Sequence, residues 1–174
     1  FPPDEIVLVD DGSTDDSVAR ACAASALVRV VATPGLGPAG ARNAGIRAAT
    51  GDLLGFLDHD DLWVPEKLAW QLDLLAREPA IDVVVGQLRS FRDGGDWLGG
   101  PVPGYLTITM LARRSAFDRV GLLDQGRPFS DSAEWFLRAA DAGVDVRMLD
   151  RVLTHHRVHE SNHSLLNAEA SRAE

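Results

Sequence analysis

Short, solidly apolar runs alternate along this chain with stretches whose apolar residues recur every three or four positions. Ile6 to Val9, in "FPPDEIVLVDDGSTDDS", is the first run; it ends in acids and a Gly-Ser turn and reads as a buried strand. Ser13 or Thr14 can cap the segment that follows, with Asp15 and Asp16 in its first turn, so a helix is expected over about Ser17 to Ser25. "LVRVVAT", Leu27 to Thr33, is a second strand. Glycines crowd the start of "PGLGPAGARNAGIRAATG", and the pattern predicts a helix from about Ala39 to Ala49, ended by Gly51. Leu53 to Leu57 is a third buried strand and runs straight into Asp58, Asp60 and Asp61. Pro65 to Arg77 is amphipathic, with Leu68, Leu72 and Leu75 expected on the core side.

In the second half, "IDVVVGQLRSF" reads as a strand and "RDGGDWLGGPVPG" as a flexible loop. "YLTITMLARRSAF" reads as a strand running into a short helix. "SAEWFLRAADAG" is a helix closed by Gly143, and "VDVRMLD" and "VLTHHRVH" are two extended segments. This alternation predicts one α/β domain over 1–164, with a mostly parallel sheet flanked by helices, and a polar tail over 165–174. Such sheets bind ligands at the carboxyl ends of their strands. Both acidic clusters, "VDDGS" and "DHDD", fall at such ends and therefore on one edge.

Composition narrows the partners. The chain has 174 residues, enough for one real core, and 26 acids against 17 basic residues leave a net charge of -9. No basic face for a nucleic-acid backbone is visible, although a small anionic ligand needs only a local patch or a bridging metal. The single cysteine, Cys22, excludes an intrachain disulfide and a multi-cysteine zinc site, and its apolar run "VARACAASALV" suggests a small core residue. No segment approaches the roughly 18 apolar residues of a membrane span, and no signal peptide opens the chain. The expected location is the cytoplasm, with the inner face of the membrane as a variant. Lys67 is the only lysine among the basic residues.

Three carboxylates behind one strand should repel one another, and they are tolerated best around a cation. The plainer reading is a solvated turn that caps the helix starting near Pro65. The glycines before Arg42 form neither a GxGxxG nor a P-loop motif, which removes a phosphate-loop ATPase.

"DEIVLVDDGSTDDS", "GPAGARNAGIRAATGDLLGFLDHDDLWVPEKL" and "RVHESN", in this order, resemble the family 2 glycosyltransferases. The resemblance implies a Rossmann-like GT-A fold and inverting transfer from a nucleotide diphosphate sugar (UDP-, dTDP- or GDP-linked) to an acceptor hydroxyl. It also implies site residues. Asp10 or Asp11 would contact the nucleobase. Arg42 would help neutralise the diphosphate, and Asn43 would hold the neighbouring loop by side-chain hydrogen bonds. "DHDD" corresponds to the family's DxD motif, with Asp60 and Asp61 on Mg²⁺ or Mn²⁺, Asp60 also facing the donor, and Asp58 on the ribose or ordering its neighbours. His159 in "RVHESN" is the candidate third metal ligand, and His59 is left out because it points the other way.

The base is a departure from the family pattern. The spacing back from Arg138 lands on Ser132, so the flanking acids Glu134 and Asp131 are the candidates, with Glu134 favoured. A second departure is the start: the family's first strand-helix unit is expected ahead of Phe1. Two other readings stand beside the transferase, a nucleotidyltransferase and a non-catalytic sugar-nucleotide binding or scaffold domain. A homo-oligomer is compatible with all three.

Overall fold

In a computed structural model, residues 2–127 and 130–159 are described. The polar tail and the part of "RVHESN" beyond His159 lie outside them. The N-terminal unit is β1 (Ile6–Asp10), α1 (Ser17–Ala24) and β2 (Val28–Ala32), followed by α2 (Gly37–Ala48). Then come β3 (Leu53–Gly55), β4 (Leu62–Trp63) and α3 (Lys67–Arg77). The second half contains β5 (Val83–Arg92), β6 (Trp97–Gly104), a 3₁₀ turn (Thr107–Thr109) and β7 (Leu111–Arg113). It ends with α4 (Arg114–Val120), α5 (Asp131–Asp141) and β8 (Val146–Val158).

β1 and β2 form a parallel pair, and the other strands form a six-stranded sheet in the order β3-β7-β5-β8-β4, with β6 also paired to β5. The α/β alternation is as expected, but the larger sheet is mixed. Only β5 and β8 run parallel there, while β3–β7, β5–β7, β5–β6 and β4–β8 are antiparallel. A tight return makes β5 and β6 antiparallel, whereas the other antiparallel pairs join strands that are not consecutive in the chain.

The expected loop over 92–104 is instead the hairpin return from β5 into β6. Gly94 and Gly95 take φ of 99° and 90° and make its turn. Pro101 and Pro103 are tolerated because β6 pairs with β5 alone. The two extended segments at the end are one strand, β8. Its register jumps from Gly86↔Leu149 to Gln87↔Val152 and again before Leu88↔Thr154. This bulge seats Leu153 over Gly86, where a Cβ would stand 2.5 Å from the leucine side chain.

β5 is buried on both faces, as its unbroken Val83-Val84-Val85 run requires. Val83 and Val85 pack with Ile46, Leu54, Met110, Phe117, Trp135 and Ala139, while Val84 packs with Leu75, Ile81 and Leu111. Cys22 is exposed, not a core residue, because α1 buries none of its side chains.

α3 turns Leu68, Leu72 and Leu75 toward one cluster, as expected, and buries two polar residues beside them. Its fully covered residues are Lys67, Gln71 and Leu75, a stripe spaced by one turn, while Leu68 and Leu72 are only partly buried. Lys67 Nζ donates to Gln71 Oε1 at 2.9 Å and to the Met110 carbonyl at 3.1 Å, and it lies 4.2 Å from the Trp63 ring centre. Gln71 Nε2 donates to the carbonyls of Val84 and Thr109, and Trp63 Nε1 to those of Phe56 and Ile108. The 3₁₀ turn has almost no ladder of its own, so these side chains supply its bonds.

Burial pushes Lys67 down to about 7. Between that value and the ordinary lysine value of about 10.4, the unfolded chain holds a proton that the folded chain has released. Folding stability therefore rises as pH is raised through this window, by up to about 1.4 kcal/mol per pH unit. Urea unfolding at pH 7, 8 and 9 should show this rise in the wild type and lose it in Lys67→Met. An identical pH slope in both proteins contradicts the assignment.

Candidate functional site

α2 connects the candidate segments: its start meets the end of β1 through Asp11, and Arg42 further along meets the acidic loop after β3 and the start of α5. At the end of β1, Asp10 Oδ1 accepts the Ser13 amide at 2.9 Å, and the Ser13 side chain and amide hold the Asp10 carboxyl below its usual range. Asp11 is engaged more fully. Its two oxygens accept the Thr33 hydroxyl and the amides of Gly35, Leu36 and Gly37, the last two at 2.7 Å. Burial alone would raise this carboxyl, but the four donors outweigh it and hold it low. Asp11 thus orders the loop entering α2, whereas the Asp10 side chain binds within its own turn.

Arg42, on α2, joins two distant segments. Nη2 donates to Asp58 Oδ1 at 2.8 Å and Oδ2 at 2.6 Å, and Nη1 donates to Asp131 Oδ2 at 2.9 Å. The Arg42 and Asp131 side chains are 15% and 8% exposed, so water screens this bridge poorly. Arg42 Nε is shut away from solvent without a hydrogen-bond partner among the described residues. Asp131 Oδ1 also accepts the Ser132 amide at 2.8 Å. Burial raises the Asp131 carboxyl, aided by the Asp58 charge and only partly offset by Arg42 and the Ser132 amide.

Asn43, the next residue, is 1% exposed and faces into the protein. It donates to the Leu123 carbonyl at 2.8 Å and accepts the Leu123 amide at 2.9 Å. It holds a neighbouring segment, as expected, but that segment is the approach to α5.

The acidic loop has two histidine partners from the end of β8. His159 Nε2 lies 3.1 Å from Asp60 Oδ2. His156 Nδ1 lies 2.9 Å from Asp61 Oδ1, which also accepts the Arg157 amide at 3.0 Å. The bond to Asp61 raises His156 above its usual value against the opposing effect of burial. The Asp61 side chain is 1% exposed. His59 is exposed. Among the described residues no three or more His, Cys, Asp or Glu side chains converge as a ready-made metal cage.

The two base candidates part company on α5. Both Glu134 oxygens bind Arg138, which also donates to the carbonyls of Val120 and Leu122. Glu134 therefore helps fasten α5 to the segment after α4, whereas Asp131 is bonded to Arg42. Ser132, at the counted base position, is buried and accepts the Thr107 amide at 3.3 Å, fastening the 3₁₀ turn. The sequence reading missed His156 and the Lys67–Gln71–Trp63 brace. Lys67 had one signal, being the only lysine in an arginine-based chain.

The fold is that of the GT-A glycosyltransferases. The crystal structure of Staphylococcus aureus TarS 1-349 in complex with UDP-GlcNAc superposes with a TM-score of 0.77 at 20% identity, over 91% of this chain and 51% of that one. The UDP complex of the same protein gives 0.74 at 19% identity over 90% of this chain and 52% of that one. The family model for glycosyl transferase family 2 matches residues 1–138, and the chain belongs to that family. Escherichia coli WfaP, a UDP-Glc:alpha-D-GlcNAc-diphosphoundecaprenol beta-1,3-glucosyltransferase, is 27% identical over 89% of this chain and 66% of its own length. An uncharacterized glycosyltransferase of Nostoc sp. is 38% identical over 46% of this chain and 26% of its own. The chain thus spans less than two thirds of each of these relatives.

Replacing Asn43 by Ala strands the buried Leu123 amide and carbonyl and should cost about 2–4 kcal/mol in urea unfolding. A loss below about 0.5 kcal/mol contradicts the clamp.

Proposed function

We propose that the protein transfers a sugar from a nucleotide diphosphate sugar to an acceptor hydroxyl with inversion, with Asp131 as the general base. The observation that carries this reading is the single guanidinium of Arg42 holding Asp58, in the DxD-like loop, and Asp131, at the start of α5, on its two terminal nitrogens. One carboxylate thereby stands beside the donor-side cluster with an oxygen able to accept a proton. The names of the relatives support a UDP-linked donor. WfaP is named for UDP-Glc, and TarS was crystallised with UDP and with UDP-GlcNAc.

In this reading Asp10 meets the nucleobase and Asp11 shapes the loop beneath it. Asp58 faces the donor ribose. Asp60 and His159 bring one oxygen and one nitrogen ligand together, a set that suits Mg²⁺ or Mn²⁺ once diphosphate oxygens fill other positions. A cation bound there would neutralise charge on the departing diphosphate. Asp61, committed to His156 and the Arg157 amide, orients that end of β8 from behind.

Asp131 takes the proton from the acceptor hydroxyl as its oxygen attacks the anomeric carbon, and the bond to the diphosphate breaks on the opposite face. A base whose pKa lies above the usual carboxylate value is better matched to an alcohol than an exposed aspartate. The placement proposed is cytoplasmic, at the inner face of the membrane if the acceptor is lipid-linked as for WfaP. Among the described residues no helix is long and apolar enough to cross a membrane. One observation favours a non-catalytic binding domain, the serine at the counted base position, but Asp131 beside it supplies a carboxylate.

The test measures UDP release from UDP-glucose and UDP-GlcNAc with Mn²⁺, water taking the sugar as the acceptor hydroxyl that Asp131 deprotonates. Asp131→Asn should lower the rate about 10²–10⁴-fold while donor affinity stays within about threefold, and Glu134→Gln should stay near wild type. In the wild type, activity should be lost as pH falls through a value above the ordinary aspartate pKa of about 3.9, because the raised carboxyl protonates early. Full activity in Asp131→Asn, or loss confined to Glu134→Gln, overturns the assignment.

A further inference from the structure

We propose that Arg42 is a positioning residue that sets the Asp131 carboxylate against the donor site by gripping Asp58 with its other arm, and that it is not a ligand of the donor diphosphate. The inference rests on the reading of Asp131 as the base and goes beyond it.

Charge is the first argument. Arg42 carries one positive charge, and two carboxylates already hold it, so the group is net negative before any ligand arrives. A diphosphate gains nothing by approaching a guanidinium whose charge is already over-matched. Geometry is the second. Nη2 contacts both oxygens of Asp58, Nη1 contacts Asp131, and Nε is closed off from solvent. Little of the fork is left to turn toward a phosphate.

Anchorage is the third argument. Asn43 fixes α2 to Leu123 through two buried hydrogen bonds, so Arg42 leaves a helix already fastened to the approach to α5. Asp131 is fixed from its other side by the Ser132 amide at the first turn of α5, where the helix dipole favours an anion. The guanidinium is planar and rigid, so it sets the separation between the two acids it spans. A lysine has a single ammonium on a flexible stem and cannot hold both acids in the same fixed relation.

The groups facing Asp131 are Arg42 from α2 and Asp58 from the acidic loop, together with the Ser132 amide on its own helix. Losing Arg42 removes the one positive charge among them and leaves the Asp58 charge unopposed. The acid limb of the rate profile therefore moves to higher pH.

The experiment compares wild type, Arg42→Gln and Arg42→Lys in the whole chain. Calorimetry with UDP-glucose and Mn²⁺ gives the donor Kd and the number of competent sites. UDP release at saturating UDP-glucose is then expressed per competent site, which removes any loss from misfolding. The expected result is a Kd within about threefold of wild type and a rate per site reduced at least about thirtyfold in both variants, the scale of a lost or misaimed base. The acid limb of Arg42→Gln shifts upward as well. A tenfold or greater rise in Kd overturns the proposal and returns Arg42 to the donor. A rate per site that Arg42→Lys restores to wild type also overturns it, since any cation would then suffice. Asp131→Asn separates this failure from that of the underlying reading: if it still releases UDP at the wild-type rate, Asp131 is not the base, whatever Arg42 does.

Discussion

A buried guanidinium between two carboxylates is the interaction on which the site depends. Arg42 links the acidic loop to the first turn of α5, two segments that no strand pairing joins. Such a bridge adds little net stability, because desolvating Arg42 and Asp131 costs about as much as their attraction returns. Its consequence is specificity of arrangement. Arg42 and Asp131 are largely buried while the Asp58 side chain is 36% exposed, so losing Arg42 strands the Asp131 charge far more than that of Asp58.

The surrounding fold keeps this bridge in place with polar side chains where backbone ladders run out. The 3₁₀ turn lies between the acidic loop and α5 and takes bonds from Gln71, Trp63, Lys67 and Ser132. Asn43 does the same for the approach to α5. On the other flank, the bulge in β8 carries the strand onward so that His156 and His159 meet Asp61 and Asp60. Short irregular segments carry the candidate site residues, and buried side-chain amides and one buried amine hold them.

Much of this could be read from the residues alone. The apolar runs located β1, β2, β3 and β5, and the acids do follow β1 and β3, but these strands belong to two sheets rather than to one edge. The β6 hairpin was hidden because its glycines and prolines resemble a loop, and only an edge position makes them compatible with a strand. The leucines of α3 marked its core side, but Lys67 and Gln71, which bury beside them through hydrogen bonds, gave no apolar signal. Glu134 and Asp131 can be told apart only in three dimensions. Both sit at a helix start, and only the long-range contact with Arg42, against the local pairing of Glu134 with Arg138, separates them. Asp11 looked equivalent to Asp10 for the same reason, until the chain returned to place four donors around it.

The central claim is that Asp58, Asp60 and Asp131 belong to one donor-acceptor site organised by Arg42. A crystal structure of the protein with UDP-glucose, Mn²⁺ and a bound acceptor tests it most directly. The account predicts the diphosphate at Asp60 and His159, Arg42 still bridging Asp58 and Asp131, and the acceptor hydroxyl about 2.6–3.2 Å from an Asp131 oxygen. A nucleotide sugar seated away from the acidic loop, or an acceptor hydroxyl facing Glu134 with Asp131 turned elsewhere, would contradict it.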